Sequence, residues 1–333
     1  MNQRKDRWAF LRDPKFILLV TFLVFNVFFG LMSPNYFELS NYYNMLKQMA
    51  MIIITGSAAT LLMMTGNFDL STGSTVACTA VLYALLATHG VPMTAAAVVA
   101  LAAGFLIGAI NGTMVARIGI PPFIATLGMM YIVRGAGLVA CGGRSIRENI
   151  PANFNQVARG EFLGIPIPVY LIAAFVLLFW LLQKRSLLGK YAMAIGGNRN
   201  AAFFSGINAG RIVFWIYAMV GTLAAFSGVM MASRFGAGDP RSGNGFEFDV
   251  ILSILLGGTS LSGGKGSVIG MLLGALIVGV LANGLNMLNV LTFWQSILKG
   301  AILVAAILLN EKILQAARKR ALAKAAAGAR GTS

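Results

Sequence analysis

The sequence predicts an all-α polytopic membrane protein with about ten transmembrane helices and both termini in the cytoplasm. Three observations predict it. First, 58% of the 333 residues are hydrophobic and only 11% are charged, whereas a soluble domain carries about 25% charged residues. That much apolar surface cannot be hidden in one water-facing core, and lipid is the solvent that accepts it. Second, apolar stretches recur at close to the roughly 20 residues that a membrane helix needs. Third, lysine and arginine gather in alternate connections, as the positive-inside bias requires.

The stretches are 16–33, 45–65, 73–89, 92–116, 121–140, 166–183, 211–233, 248–261, 266–289 and 294–311. The first follows a basic start, MNQRKDRWAFLRDPKF, and ends in SPNYF without an A-x-A pattern. It reads as an uncleaved span, not a signal peptide. The eighth, 248–261, is short and reads as a broken or re-entrant element. Placing residues 1–15 inside puts Arg117, the basic loop 184–210, Lys265 and the basic tail 312–333 inside as well. Most of the 26 lysines and arginines then lie on the cytoplasmic side. Residues 16–311 form the transmembrane domain, with an outer polar loop at 141–165.

The net charge of +16 is explained by basic cytoplasmic loops and tails, so nucleic acid is not an expected partner. The basic C-terminal tail is read as solvated, with contact to anionic lipid as the alternative. Cys78 and Cys141 fall in or at the end of apolar stretches and read as packing residues. His89 is the only histidine and reads as interfacial, so no transition-metal site is expected. In GFLIGAING, Gly104, Gly108 and Gly112 recur four apart on one helix face, and Gly270 and Gly274 repeat the spacing. Small residues let helix backbones approach closely in lipid. LSGGK at 261–265 is like an ATPase signature, but it sits in a short loop between apolar helices and no Walker A motif accompanies it. ATP, if it drives the chain, must be hydrolysed by a partner. DLSTGS at 69–74 and SLSGGKGS at 260–267 form a weak internal echo.

Within TGNFDLSTGS at 65–74, Asp69 is the only acid between Glu38 and Glu148. A charge at membrane depth costs at least about 2.5–3.5 kcal/mol, so it serves function or pairs internally. Three roles fit. The carboxylate caps a helix by accepting from backbone N–H groups near Thr72–Ser74, with Gly66 and Gly73 permitting the break. Alternatively, Asn67, Asp69 and Ser71 line a path and bond hydroxyls. In a third role Asp69 carries protons, but no second acid shares the region. The cap is the preferred role. Asn111, Arg134, Asn283 and Asn286 are further candidates for a path or gate. Arg134 snorkels, pairs internally or touches substrate. Asn283 and Asn286 share a helical face, with packing preferred for both. Lys299 pairs internally or snorkels. Outer charges such as Arg144, Arg147, Asp239 and Arg241 suit a partner or solvent equally.

Four stretches carry a resemblance. TGNFDLSTGS resembles the TGGIDLSVGS segment of the ribose-type sugar ABC transporter permeases, with Asn67, Phe68 and Thr72 departing from it. NGTMVARIGIPPFIATLGMMYIVRG, AIGGNRNAAFFSGINAGRIVFWIYAMVGTLAAFSGVM and FEFDVILSILLGGTSLSGGKGSVIGMLLGALIVGVLANGLNMLNV are similar to further blocks of that family. The last departs from the family's more alanine-rich ELDAIAAVV at FEFDVILSILL. The match runs from about residue 40 to 305. It implies a type II-like importer permease in a bacterial inner membrane, moving a monosaccharide or related polyol by ATP-driven alternating access. It implies no catalytic residues and no cofactor in this chain, since ATP is bound by a partner ATPase subunit or fused dual ATPase. A periplasmic substrate-binding protein and a second permease copy, identical or not, complete the assembly. The cytoplasmic loop then couples to the ATPase. Gly196 and Gly197 supply a turn, Asn198 a cap, and Ala201, Ala202, Phe203 and Phe204 the docking surface, followed by Ser205 and Gly206. A branched-chain amino acid permease of the same superfamily and a stand-alone proton-coupled carrier remain alternatives. An enzyme finds no nucleophile–base pair to support it.

Overall fold

The computed structural model describes residues 14–308, so the tails at 1–15 and 312–333 fall outside the described residues apart from positions 14 and 15. In chain order the helices are α1 Pro14–Met32, α2 Leu39–Met64, α3 Thr72–Thr88, α4 Met93–Thr113, α5 Pro122–Ala140 and α6 Ile167–Arg185. Then follow α7 Leu187–Gly197, α8 Arg199–Phe204, α9 Ala209–Phe235, α10 Phe246–Leu256, α11 Val268–Met287 and α12 Thr292–Leu308. A π turn, Met114–Ile118, extends α4 until Gly119 stops it at φ 87°, and Pro121 and Pro122 open α5.

The chain is an all-helical polytopic membrane protein. Among the described residues, seven helices are long and apolar enough to cross a membrane: α1, α2, α4 with its π turn, α5, α6, α9 and α11. α3 and α12 are shorter apolar helices. Each predicted stretch falls on a helix within the described residues, and 248–261 is the broken element expected, not a full span. α10 has 11 residues, about 16 Å at 1.5 Å per residue. It reaches halfway across a hydrocarbon core of about 30 Å, and the remainder of the stretch is loop. The outer loop also holds an unforeseen two-stranded ribbon, β1 Glu161–Phe162 with β2 Ile165–Pro166. Phe154 from the same loop is buried and stacks on Tyr83 of α3, with ring centroids 4.8 Å apart.

α2 is the central helix, with 83% of its most apolar stretch buried against 11% for α1. Its small polar residues turn inward without stranding a donor. Ser57 and Thr60 donate to Ile53 O and Gly56 O one turn back, both at 2.7 Å. Thr55 shares a 2.9 Å bond with Ser227 of α9, and Ser227 donates to Met51 O at 3.0 Å. Such interhelical bonds are worth about 0.6–2 kcal/mol in lipid. Gly104, Gly108 and Gly112 of α4 press against α9 at Gly221, Tyr217 and Phe214, and Gly270 and Gly274 press against α10 at Gly257 and Ser253. Backbone atoms of the facing segment oppose each of these glycines, joined at Gly104 by the Ala225 Cβ, so a larger residue has little room.

Two breaks meet at one end of the bundle. The loop after α2 and the loop after α10 touch where Gly264 donates its N–H to Met64 O at 2.9 Å. Gln183, near the end of α6 and 2% exposed, bolts this junction. Its Nε2 donates to Gly266 O at 2.7 Å and its Oε1 accepts from Val268 N–H at 3.0 Å. Gln183→Leu leaves the buried Val268 N–H unpaired, at about 1–3 kcal/mol, and frees the half-buried Gly266 carbonyl. The variant is expected to lose several degrees of thermal midpoint in detergent, read by scanning fluorimetry. An unchanged midpoint would show that the bolt is dispensable.

Candidate functional site

Asp69 sits in the break between α2 and α3. Gly66 makes the reversal at φ 79°, and Asn67 donates to Thr65 O and Oγ1 at 3.3 and 2.8 Å. Asp69 Oδ1 accepts from the Ser71 backbone N–H at 2.8 Å and from its hydroxyl at 2.7 Å. Asn111 of α4 donates to Oδ1 at 3.3 Å, to Oδ2 at 3.2 Å and to Ser71 Oγ at 2.8 Å. Tyr217 of α9 donates to Phe68 O at 2.9 Å. Asn67, Asp69, Ser71 and Asn111 are all buried.

The expected cap at Thr72–Ser74 is thereby corrected. Asp69 closes an Asx turn on Ser71, two residues on, which is the reach of a short carboxylate side chain. The first turn of α3 is closed by its own hydroxyls, with Ser74 and Thr75 donating to Ser71 O at 3.0 and 2.9 Å. Gly73 does not permit the break either. It lies within α3, and it is small because Gly243 O and the Glu247 carboxylate press against it.

The other polar candidates are not brought to this cluster. Asn283 of α11 exchanges two bonds with Asn41 of α2, at 2.8 and 3.1 Å. Asn286 accepts from Gln295 at 2.7 Å. Arg134 of α5 donates to Asn244 Oδ1. Asn283 and Asn286 bond in different directions although they are only three residues apart, one to α2 and the other to α12. His89 is exposed, with its Nδ1 2.8 Å from Leu85 O, and both cysteines are free thiols.

The loop 184–210 holds two capped helices, α7 and α8, and the cap that opens α9. Ser186 accepts from Leu188 N–H at 3.2 Å to start α7, Asn198 from Ala201 N–H at 3.0 Å to start α8, and Asn208 from Arg211 N–H at 2.9 Å to start α9. Gly206, at φ 79°, follows the Ser205 C-cap of α8. Gly196 and Gly197 form the last turn of α7, and the chain turns instead at extended Asn198 (φ −159°, ψ 105°). Gly196 faces inward onto Met64 O, Gly264 N and Gly263 Cα, while Gly197 faces open space. The LSGGK glycines are thus a close-packing surface, with Gly263 and Gly264 at φ 84° and 77° against Gly196 and Gly197. Ala202 is buried, so it leaves the docking surface, whereas Phe203 and Phe204 are 71% and 85% exposed.

The internal pairing expected of Lys299 is found, with a partner and a cavity that the residues did not foretell. Lys299 of α12 reaches both carboxylate oxygens of Asp249 of α10 at 2.9 Å. Asn244, Phe248, Ser296 and the ion pair share the wall of one cavity with apolar residues of α10 and α12. Nearby on α10, Glu247 is buried, with its Oε2 unpartnered. That carboxylate lies against the first turn of α3, where a helix N-terminus favours negative charge. The signal was present in FEFDVILSILL, which puts two acids within three residues of an otherwise apolar run.

A family model described as branched-chain amino acid transport system / permease component matches residues 41–307. Ribose import permease protein RbsC of Escherichia coli (strain K12) is 37% identical over 297 residues, covering 88% of this chain and 92% of that protein. D-allose transport system permease protein AlsC of the same strain is 36% identical over 287 residues, 86% of this chain and 88% of that protein. L-arabinose ABC transporter permease protein AraH of Azospirillum brasilense is 34% identical over 299 residues, 88% and 86% respectively. No solved structure matches the chain. A matched family model spanning most of the chain, over a helical bundle interrupted by buried breaks, places this protein in the branched-chain amino acid transport system / permease component family.

Proposed function

We propose that this chain is the membrane-spanning permease subunit of a bacterial ATP-driven importer for a monosaccharide. The observation that carries the reading is near full-length similarity to permeases named for ribose, D-allose and L-arabinose. The protein sits in the inner membrane with the Gly196–Gly264 junction and the α7–α8 segment on the cytoplasmic side. A partner ATPase binds and hydrolyses ATP, and a periplasmic binding protein delivers the sugar to a pore formed with a second permease copy. Specificity for one sugar resides mainly in that binding protein.

α8 is the element that docks on the ATPase. Two adjacent phenylalanines exposed at the end of the bundle leave apolar area in water that a partner groove would remove, at about 25 cal/mol per Å². Gly197, Asn198, Ala201, Ser205 and Gly206 flank them as a low, open rim. Gly196 and Ala202 fasten the segment to the bundle, so that movement of α8 moves the two breaks beneath it. The Asp69, Ser71 and Asn111 cluster holds one break in shape, and Asn67 completes its turn.

Phe204→Glu is expected to lower co-purification of the ATPase about tenfold or more, as loss of a buried aromatic anchor does, while the permease itself still folds. Normal recovery of the ATPase with this variant would remove α8 from the interface. The function is tested by purifying the tagged chain with the products of its neighbouring genes and assaying ATP hydrolysis. Stimulation by a binding protein loaded with one monosaccharide is the expected result. Stimulation only by a branched-chain amino acid would favour the other branch of the family.

A further inference from the structure

We propose that the cavity between α10 and α12 is the sugar-contacting wall of the translocation path. This rests on the importer function proposed above and adds the binding chemistry. The cavity holds about 400 Å³, within the range of small-ligand sites. Its walls carry two chemistries that a monosaccharide needs together. Phe248, 50% exposed, offers a flat apolar surface to the C–H face of a sugar ring. Asn244, Ser296, Asp249 and Lys299 offer acceptors and donors to hydroxyls.

The ion pair is the centre of the argument. Its lysine and aspartate side chains remain 30% and 20% exposed, so neither is sealed. A carboxylate has about four acceptor sites and an ammonium three donors, and their mutual bonding leaves several free. The pair is neutral overall, which suits an uncharged ligand with adjacent hydroxyls. As a mere staple between α10 and α12 it would be a poor choice, because apolar residues of similar volume hold helices as well or better. Charged residues within membrane helices pair with one another and mark substrate paths. Arg134 of α5, bonded to Asn244, brings a further polar group to the rim. Polar groups from α5, the loop before α10, α10 itself and α12 therefore converge on one opening.

The test uses the whole importer, this chain with its ATPase and binding protein, in proteoliposomes with a labelled monosaccharide that the wild type moves. The readout is sugar moved per ATP hydrolysed. Ser296→Phe fills the cavity and leaves both members of the ion pair in the sequence. The exchange Asp249→Lys with Lys299→Asp keeps a staple but reverses the groups. Phe248→Ala removes the ring and adds no charge. Each is expected to lower the ratio about tenfold or more, the effect of removing one charge-assisted hydrogen bond or one stacking partner from the sugar. Ile297→Phe, one residue along α12 and outside the cavity wall, is expected to keep the wild-type ratio. Wild-type ratios in Phe248→Ala and in whichever of the other two variants assembles would overturn the proposal and make the cavity a lipid or packing face. A wild-type complex that moves no monosaccharide overturns the importer function itself and the cavity role with it, and this is read from the wild type alone.

Discussion

Gly196→Leu is expected to prevent the chain from reaching a folded state that detergent can extract as a single species. The reason is local and steric. A Cβ at this position would run into Met64 O and Gly264 N and lie 2.9 Å from Gly263 Cα. All three are backbone atoms of the two breaks, and none can swing aside as a side-chain tip does. Overpacking into side chains costs about 1–3 kcal/mol, occasionally more, and here the obstacle is backbone already held by the Gly264 N–H bond to Met64 O. Size-exclusion chromatography of the extracted variant measures the outcome. The adjacent Gly197 meets nothing within 4 Å, so Gly197→Arg is expected to fold normally and to lose uptake because it blocks the docking rim. Opposite fates for neighbouring glycines would separate fastening from docking. Equal tolerance at both would refute the packing account of the junction.

Asp69→Leu is expected to destabilise the fold by about 1–3 kcal/mol or more, since it leaves the buried Ser71 N–H without its acceptor and leaves Asn111 Nδ2 only its bond to Ser71 Oγ. Asp69→Asn keeps an acceptor for Ser71 and is expected to cost less. The double variant Asp69→Leu with Asn111→Leu is expected to lose less than the sum of the two single variants, because the partners belong to one network. Thermal unfolding in detergent measures all three. A neutral Asp69→Leu would contradict the structural role. Altered sugar preference in Asp69→Asn, at unchanged stability, would place the carboxylate on the path instead.

Much of the bundle was legible because lipid leaves few choices. Apolar runs near twenty residues must be helices, and every such run here is one. The small-residue spacing of Gly104, Gly108 and Gly112 likewise has one economical use, a close helix contact, and α9 lies there. Length was the weaker signal at 248–261, where α10 stops at Leu256. The residues beyond it pack against the other break, a partner far away in sequence. The same distance hid the meaning of LSGGK, whose glycines pack against Gly196 and Gly66.

The polar residues were harder to read. Composition marked Asp69, Asn111 and Arg134 as costly, but a side chain's partner depends on helix rotation and on neighbours from elsewhere in the chain. Asn111 meets an acid 42 positions earlier, and Asp249 meets a lysine 50 positions later. Asp249 stood out less than the lone Asp69, because the acids of FEFDV come as a near pair. Asn198, by contrast, was readable at once, since capping is settled by the next three residues.

The most direct measurement of the central claim is flux in proteoliposomes containing this chain, its ATPase and, outside, its binding protein loaded with labelled monosaccharide. The importer account predicts accumulation above the outside concentration only when ATP is present on the ATPase side, with no response to an imposed proton gradient. Accumulation driven by a proton gradient in vesicles holding this chain alone would contradict it and make the buried Asp69 carboxylate the first residue to re-examine.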